Sequence, residues 1–373
     1  MSISHESAGT ALKGTSLSLS GGGFRATLFH LGSLTRLNEL GWLPKLDRIV
    51  CVSGGSILGA WLGCRWQELR FEGDVATNLS EVVGDPLRKL CSMRIDVASL
   101  WSYPLHLRGN GSRLGLLYAK HMYGTATLAE LPRAPQVELM ATNLLTGGYV
   151  SMSARGIHDN RIGLLPMTDL PVAMAVAASC ALPPYFSPIH VKSDPADWQL
   201  EDVARKLEDP RMRKRMLLAD GGAYDNLGME AVLDVNETIL FSDASSLFPA
   251  WKSLARDRTL QLMRSNTVMV SRLRSLRKRY LLEQRLGNPG HPQRGAYWGI
   301  SSEIEDYGLD DALATDSEQT ASLAYTRTRL SRFFEEEQAQ LINWGYALTD
   351  AAMRRYLNAD GPTPQWPCPE HRL

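Results

Sequence analysis

A serine set between a β-branched residue and two glycines, as in "CVSGGS" at Cys51–Ser56, is suited to nucleophilic attack. A reactive serine sits on a strained strand-to-helix turn that pushes its hydroxyl outward, so its neighbours must be small. Gly54 and Gly55 keep the helix side open, and Cys51 stands where the usual elbow pattern has its first glycine. The helix N-terminus expected beyond them favours a developing alkoxide on Ser53. The competing reading is a plain N-cap, and this stretch by itself fits that role better.

Two other stretches carry chemistry. "SGGGFRA" places Gly21, Gly22 and Gly23 after a strand and before a helix, with Arg25 in the same turn. Backbone N–H groups left uncovered at a positive helix end can hold a phosphate or the oxyanion of a tetrahedral intermediate. A dinucleotide site wants G-x-G-x-x-G with an acid roughly 20 residues on. Gly21, Gly23 and Ala26 fit that loosely, and Asp47 stands before the second strand rather than at its end. In "LLADGGAYDNLG" an apolar strand delivers Asp220 into Gly221-Gly222, at the carboxyl end of a sheet where α/β sites lie. Asp220 is then an acid/base candidate; an aspartate at a turn is the plain alternative, and Asp225 a rival for the role. None of the eight histidines is brought to Ser53 by its spacing: His30 follows the glycine turn on a helix, and His158 and His190 are expected in loops.

The elements that must position these residues alternate. "TSLSLS" and "LDRIVCV" read as strands, each followed by a helix, "TLFHLGSLTRLNEL" with Gly41 as its C-cap and "SILGAWLGCRWQEL". Strand–helix–strand–helix order implies parallel strands with crossovers. "QVELMATNLL", "YVSMSA", "MLLAD" and "TILFSDAS" read as further strands, the last closing the sheet, and "DLPVAMAVAASCAL" as a small-residue helix that packs closely. Residues from about 71 to 125 read as an insertion over the sheet edge, and about 192–214 as a charged excursion. From Leu254 onward the pattern is helical, ending in a Pro-rich tail. The organisation expected is a core over 12–245 and a helical C-terminal extension over 246–373 packed on it.

Composition narrows the partners. Lys+Arg 40 against Asp+Glu 40 leaves no net charge, so no global field draws this chain of 373 residues to nucleic acid. Five scattered cysteines form no CxxC pair, which suggests neither a disulfide framework nor a zinc knuckle and fits a reducing cytoplasm. "MSISHESAGTALKG" has no apolar h-region, and the most apolar stretch is broken by Pro171, Pro183 and Pro184. A soluble, at most peripheral protein is expected.

Taken together and in this order, "GGGFR", "SGGS" some thirty residues later and "DGG" far downstream resemble the patatin-like phospholipase family, which includes lipases of the cytosolic phospholipase A2 type. "VAMAVAASCALPPYFSP" and "ATNLLTGG" resemble its small-residue helix with a Leu-Pro turn and its middle strand, and "LINWGYALTDAAMRRYL" is similar to the tail of bacterial members. The resemblance covers roughly Leu17 to Asp243. It implies an α/β, three-layer patatin-like fold, with a mostly parallel central sheet flanked by helices, an inserted lid-like region and added C-terminal helices. It also implies a Ser53–Asp220 dyad without histidine, metal or cofactor and an oxyanion hole from Gly21, Gly22 and Gly23. Gly54, Gly55, Gly221 and Gly222 are supporting, and Arg25 braces the loop rather than meeting a substrate phosphate. Cys51 and Ala26 depart from the family pattern by small-for-small changes.

The resemblance implies a phospholipid or membrane surface as substrate. "LWSYPLHL" (Leu100–Leu107) is expected to form an apolar lid. "SRLRSLRKRY" sets Arg272, Arg274, Arg277, Lys278 and Arg279 beside Leu273, Leu276 and Tyr280. It reads first as the solvated face of a packed helix and second as a surface for an anionic bilayer. Because some bacterial relatives are membrane-degrading effectors, a nucleotide second messenger as activator and a homo-oligomer stand as further expectations. The rival classes are a nucleotide-binding α/β protein and a catalytically silent patatin-like binding module.

Overall fold

A computed structural model of the chain describes residues 12–96, 109–200, 207, 209–248, 250–254 and 256–373. The expected alternation opens it: β1 (Thr15–Leu19), α1 (Gly23–Glu39), β2 (Leu46–Val52) and α2 (Gly54–Arg65). A small hairpin of β3 (Phe71–Glu72) and β4 (Val75–Ala76) follows, then α3 (Asp85–Cys91) and α4 (Gly109–Tyr118). Strands β5 (Gln136–Asn143), β6 (Gly148–Ser153), β7 (Gly156–Asp159) and β8 (Gly163–Leu165) lead to α5 (Val172–Cys180). After β9 (Ile189–Lys192), β10 (Arg215–Asp220) and β11 (Thr238–Asp243) come α6 (Arg258–Arg279), β12 (Arg294–Gly299), α7 (Glu318–Leu323) and α8 (Glu335–Leu357).

The main sheet runs β12-β11-β1-β2-β5-β6-β7-β8, with β10 beside β5 and β9 beside β10. Strands β12, β11, β1, β2 and β5 are parallel. The remainder is antiparallel. Side chains alternate across a strand, and β2 shows it: Ile49 and Cys51 join the core under α1 and α2, while Val50 and Val52 join a second apolar cluster on the opposite face with Leu227, Met229 and Leu281. Helix α1 is buried nearly end to end between the sheet and α8. The two helices touch at Gly32 and Gly345: a Cβ at either would overlap the other helix's backbone carbonyl, of Ile342 or of Phe29, so side-chain-free positions set the crossing.

Three expectations are corrected. β11 does not close the sheet, because β12 pairs with it in parallel from Thr238↔Arg294 to Asp243↔Gly299, inside a region expected to be helical. Its short run follows "NPGHPQ", whose Pro/Gly punctuation marks a break, but only the register with β11 makes it a strand. His158 and His190 lie on β7 and β9 rather than in loops. The basic helix, α6, meets the body through its charged side rather than an apolar one: it has no buried residue, Arg277 pairs with Asp225, and Leu276 and Tyr280 are exposed. In the insertion, Leu79, Val83, Leu87, Leu90, Leu114 and Tyr118 are buried in the main core. The stretch "LWSYPLHL" lies outside the described residues. Among the described residues no helix is long and apolar enough to cross a membrane.

Candidate active site

Strand register brings two distant segments together. β2 pairs in parallel with β5 as far as Val52↔Met140. β10 then pairs with β5 in the opposite sense from Leu218↔Asn143 to Asp220↔Ala141. Both carboxyl ends therefore meet at Met140–Ala141, with Ser53 leaving one and Asp220 ending the other. The Ser53 hydroxyl donates to Asp220 Oδ2 at 2.8 Å.

Ser53 has φ 50° and ψ −116°, a backbone region costly for a residue with a Cβ. Its surroundings hold it there. Its N–H donates to Ser179 Oγ at 2.9 Å, and Ser179 Oγ donates to the Met140 carbonyl at 2.6 Å. Ser56 Oγ, 2.8 Å from Ser179 Oγ, donates back to the Cys51 carbonyl at 2.9 Å. Gly54 is required by close approach: a Cβ there would overlap the Gly23 carbonyl oxygen. Thr27 Oγ1 seals the contact by donating to the Gly54 carbonyl at 2.8 Å. Gly55 packs likewise against the Leu19 carbonyl, and the Cys51 thiol is buried, burial pushing it well above its ordinary range. Elbow and glycine turn are one backbone-to-backbone unit.

Asp220 is buried, and its two oxygens are used differently. Oδ2 accepts from Ser53, and Oδ1 accepts from the Gly222 N–H at 2.7 Å. Burial raises its pKa from the ordinary carboxylate value to about 6, against the opposing pull of the Gly222 and Ser53 hydrogen bonds. Its main chain is fixed by Asp220 N–H to the Ala181 carbonyl at 2.9 Å and by Thr142 Oγ1 to the Asp220 carbonyl at 2.9 Å. Gly221 lies against the Met140 carbonyl with no room for a side chain. Asp225 is committed elsewhere: it accepts from the N–H groups of Leu227 and Glu230 and pairs with Arg277 at 2.9 Å.

The glycine turn differs from expectation at one residue. Gly21 donates its N–H to the Asn226 carbonyl at 3.1 Å, so that donor is spent on holding the loop. Among the described residues the N–H groups of Gly22 and Gly23 have no acceptor. Arg25 is buried, donating to the Ala244 carbonyl at 2.9 Å and to Thr328 Oγ1 and the Thr326 carbonyl at 2.6 Å each. Burial first, then nearby Arg274, push its pKa down to about 10, and it remains a cation at neutral pH. His30 is buried between Ser242 Oγ at 2.7 Å and the Ser20 carbonyl at 2.9 Å, with burial holding its pKa down to about 4. It is a neutral strut.

Asn226, Ser179 and Thr142 were not singled out from the sequence. Asn226 fastens the turn after Asp220 to Gly21 and, through Nδ2, to Ser245 Oγ at 2.8 Å. "AYDNLG" following "DGG" is the only local hint of it. Asp47, the acid a dinucleotide site would need, accepts from the Thr15 N–H at 2.7 Å at the far end of the sheet. Among the described residues no three His, Cys, Asp or Glu side chains gather as a metal set. A hydroxyl bonded to a buried carboxylate, beside two open N–H groups at a helix start, can transfer its proton and hold a developing oxyanion.

Residues 17–233, more than half of the chain, match the family described as patatin-like phospholipase. Among solved structures, human GIVD cytosolic phospholipase A2 matches with a TM-score of 0.52 at 13% sequence identity, covering 91% of this chain and 59% of that one. The same protein in complex with methyl gamma-linolenyl fluorophosphonate matches with a TM-score of 0.50 at 14% identity, covering 91% and 57%. The chain thus spans under two thirds of the length of those structures, and at such identity the likeness is one of fold. A comparison with curated protein sequences finds no match.

Proposed function

The chain belongs to the patatin-like phospholipase family, and from that premise we propose that it is a serine acyl hydrolase that cleaves ester bonds of phospholipids or related lipids through a Ser53–Asp220 dyad. The observation that carries the proposal is the 2.8 Å hydrogen bond from a positive-φ serine to a buried carboxylate.

Aspartate is a weak base for a serine hydroxyl, so the site must act on both partners. Burial raises Asp220 to about 6, which makes it a better base while leaving it ionised at neutral pH. As Ser53 Oγ attacks the ester carbonyl carbon, its proton passes to Asp220 Oδ2. The carbonyl oxygen takes up negative charge toward the N–H groups of Gly22 and Gly23, where one well-placed donor is typically worth about 10²–10³ in rate. Collapse breaks the bond to the alcohol, which leaves with the proton from Asp220, and acyl-Ser53 remains. Water then attacks the acyl carbon, giving its proton to Asp220; the same carboxyl returns a proton to Ser53 as the fatty acid departs. Gly222 holds Oδ1, so Oδ2 stays aimed at the hydroxyl throughout. A nucleotide activator has no comparable support in the site's geometry.

Incubation with a mixed phospholipid extract, followed by mass spectrometry of the products, tests this. Free fatty acid and the matching deacylated lipid are expected from the native chain and not from Ser53→Ala. Equal release from both, or none from folded native chain across the common head groups, would sink the proposal.

A further inference from the structure

Helix α6 is assembled inside out. Its polar side faces the protein: Arg274, Lys278, Ser271 and Ser275 border a cleft of about 500 Å³ with Asp243, Ser245 and Ser246. Arg277 reaches Asp225 and Glu230, and Arg264 stacks on Phe248 and Trp251. Its opposite side carries Leu262, Met269, Leu273 and Leu276, continued by Tyr280 just past its end, at helical spacing and between 43% and 62% exposed. Leu247 and Phe248, in the segment before the helix, border the inner cleft instead. An exposed apolar stripe of this kind marks an interaction site.

Charge identifies the occupant. The 22 residues of α6 contain six arginines and one lysine and no acid. Arg279 is exposed beside the apolar stripe, Arg272 is exposed at the rim of the cleft, and neither has an ion-pair partner among the described residues. Two copies meeting on this face by twofold symmetry would set these cations against one another. An anionic lipid surface satisfies both features at once: leucine and methionine enter the acyl boundary while arginine takes headgroup phosphates. Location agrees, since Leu273, at the inner edge of the stripe, forms a crevice together with Val270 and Arg274 against Gly222–Asn226, the turn directly after Asp220. A bilayer held by α6 therefore lies beside the dyad.

We propose that α6 is the element by which this chain docks on anionic bilayers, its outward stripe of Leu262, Met269, Leu273, Leu276 and Tyr280 entering the lipid and Arg272 and Arg279 binding phosphate. The choice of lipid as occupant rests on the hydrolase reading above. Docking is sequence-local, belongs to a helix beyond residues 17–233, and does not need Ser53 to react.

The test separates docking from catalysis. The Ser53→Ala chain, which leaves lipid intact, is sedimented with vesicles of phosphatidylcholine alone or mixed with phosphatidylglycerol. Binding to the mixed vesicles is expected to exceed that to the neutral ones by at least about tenfold. Adding Met269→Gln and Leu276→Gln should lower it at least about tenfold. In the active chain the same pair of changes should reduce turnover of vesicle lipid to a similar degree, yet leave hydrolysis of dissolved p-nitrophenyl butyrate within about twofold. Equal binding to both vesicle types, no binding to either, or undiminished binding by the double variant would overturn the docking proposal. So would a native dimer that the double variant splits, since the face would then belong to a second copy. Vesicle binding without turnover of either substrate supports docking and sinks the hydrolase reading; turnover of the dissolved ester without vesicle binding does the reverse.

Discussion

Helices α2 and α6 both reach the Asp220 segment, α2 through Ser53 at its start and α6 through Arg277, and they use apolar residues in opposite directions. α2 is buried from Gly54 to Gly63. Its Ile57, Leu58 and Leu62 are wholly shielded from water, a burial worth about 1.5–3 kcal/mol for each such side chain. α6 buries nothing, although its leucines recur with the spacing of a core-facing helix. The contrast teaches that a periodic apolar stripe shows that a face exists and leaves open what covers it. Around Ser53 the covering partner is the chain's own sheet. On α6 no described part of the chain supplies it.

The same opposition separates two aspartates five residues apart, one ending β10 and the other in the turn after it. Asp220 is buried, has no cation partner among the described residues, and is bonded to a hydroxyl. Asp225 is matched with Arg277 of α6 and caps the N–H groups of Leu227 and Glu230. One carboxylate keeps a chemical task and the other ties the loop to the outer helix. Asp220→Asn, which keeps shape but cannot take a proton from Ser53, is expected to lower kcat/KM by about 10²–10⁴-fold with an unchanged circular dichroism spectrum. Asp225→Asn should cost less than about tenfold. Reversed magnitudes in steady-state kinetics would move the base to Asp225.

Gly54→Ala probes the buried start of α2. The new methyl group meets the Gly23 carbonyl, so elbow and glycine turn must part. A misplacement near 1 Å costs roughly 10²-fold in rate, and overpacking of a tight core site costs about 1–3 kcal/mol. Kinetics together with urea denaturation read both effects. On α6, Leu276→Gln should change stability by less than about 0.5 kcal/mol, as at other surface positions. A larger loss would show that the apolar side of α6 packs on the body after all.

Acidity provides a smaller and graded effect. Asp220 accepts a proton only when ionised, and burial places its titration at about 6 rather than near the ordinary aspartate value. kcat/KM on a dissolved ester should be level above neutral pH and fall about tenfold per unit below roughly pH 6. The sign follows from loss of the base as it becomes protonated. A level profile down to pH 4 would remove Asp220 from the proton transfer.

Much of the site was legible because its backbone geometry demands particular residue types. Glycine at Gly22–Gly23 and Gly54–Gly55, and Asp220 before Gly221–Gly222, mark turns that other residues strain to make. The sheet was legible where strands alternate with helices, from β1 through α2. It failed where pairing is non-local: nothing within "RMLLAD" says that β10 runs against β5, and nothing within "RGAYWG" supplies β11 as its neighbour. Gly21 could not be told from Gly22, because its donor is spent on a carbonyl at Asn226, more than two hundred residues away in sequence. Ser179 and Thr142 are ordinary polar residues whose roles arise only from meeting Met140 and Asp220 in space. The stripe on α6 was visible too, but its direction depends on where Arg277 and Asp225 meet.

The most direct test of the Ser53–Asp220 account is peptide mapping of the folded chain after exposure to a methyl alkyl fluorophosphonate. A single phosphonyl adduct on Ser53 is expected, formed far more slowly in Asp220→Asn and absent in Ser53→Ala. An unmodified Ser53, or labelling that proceeds at the native rate in Asp220→Asn, would contradict it.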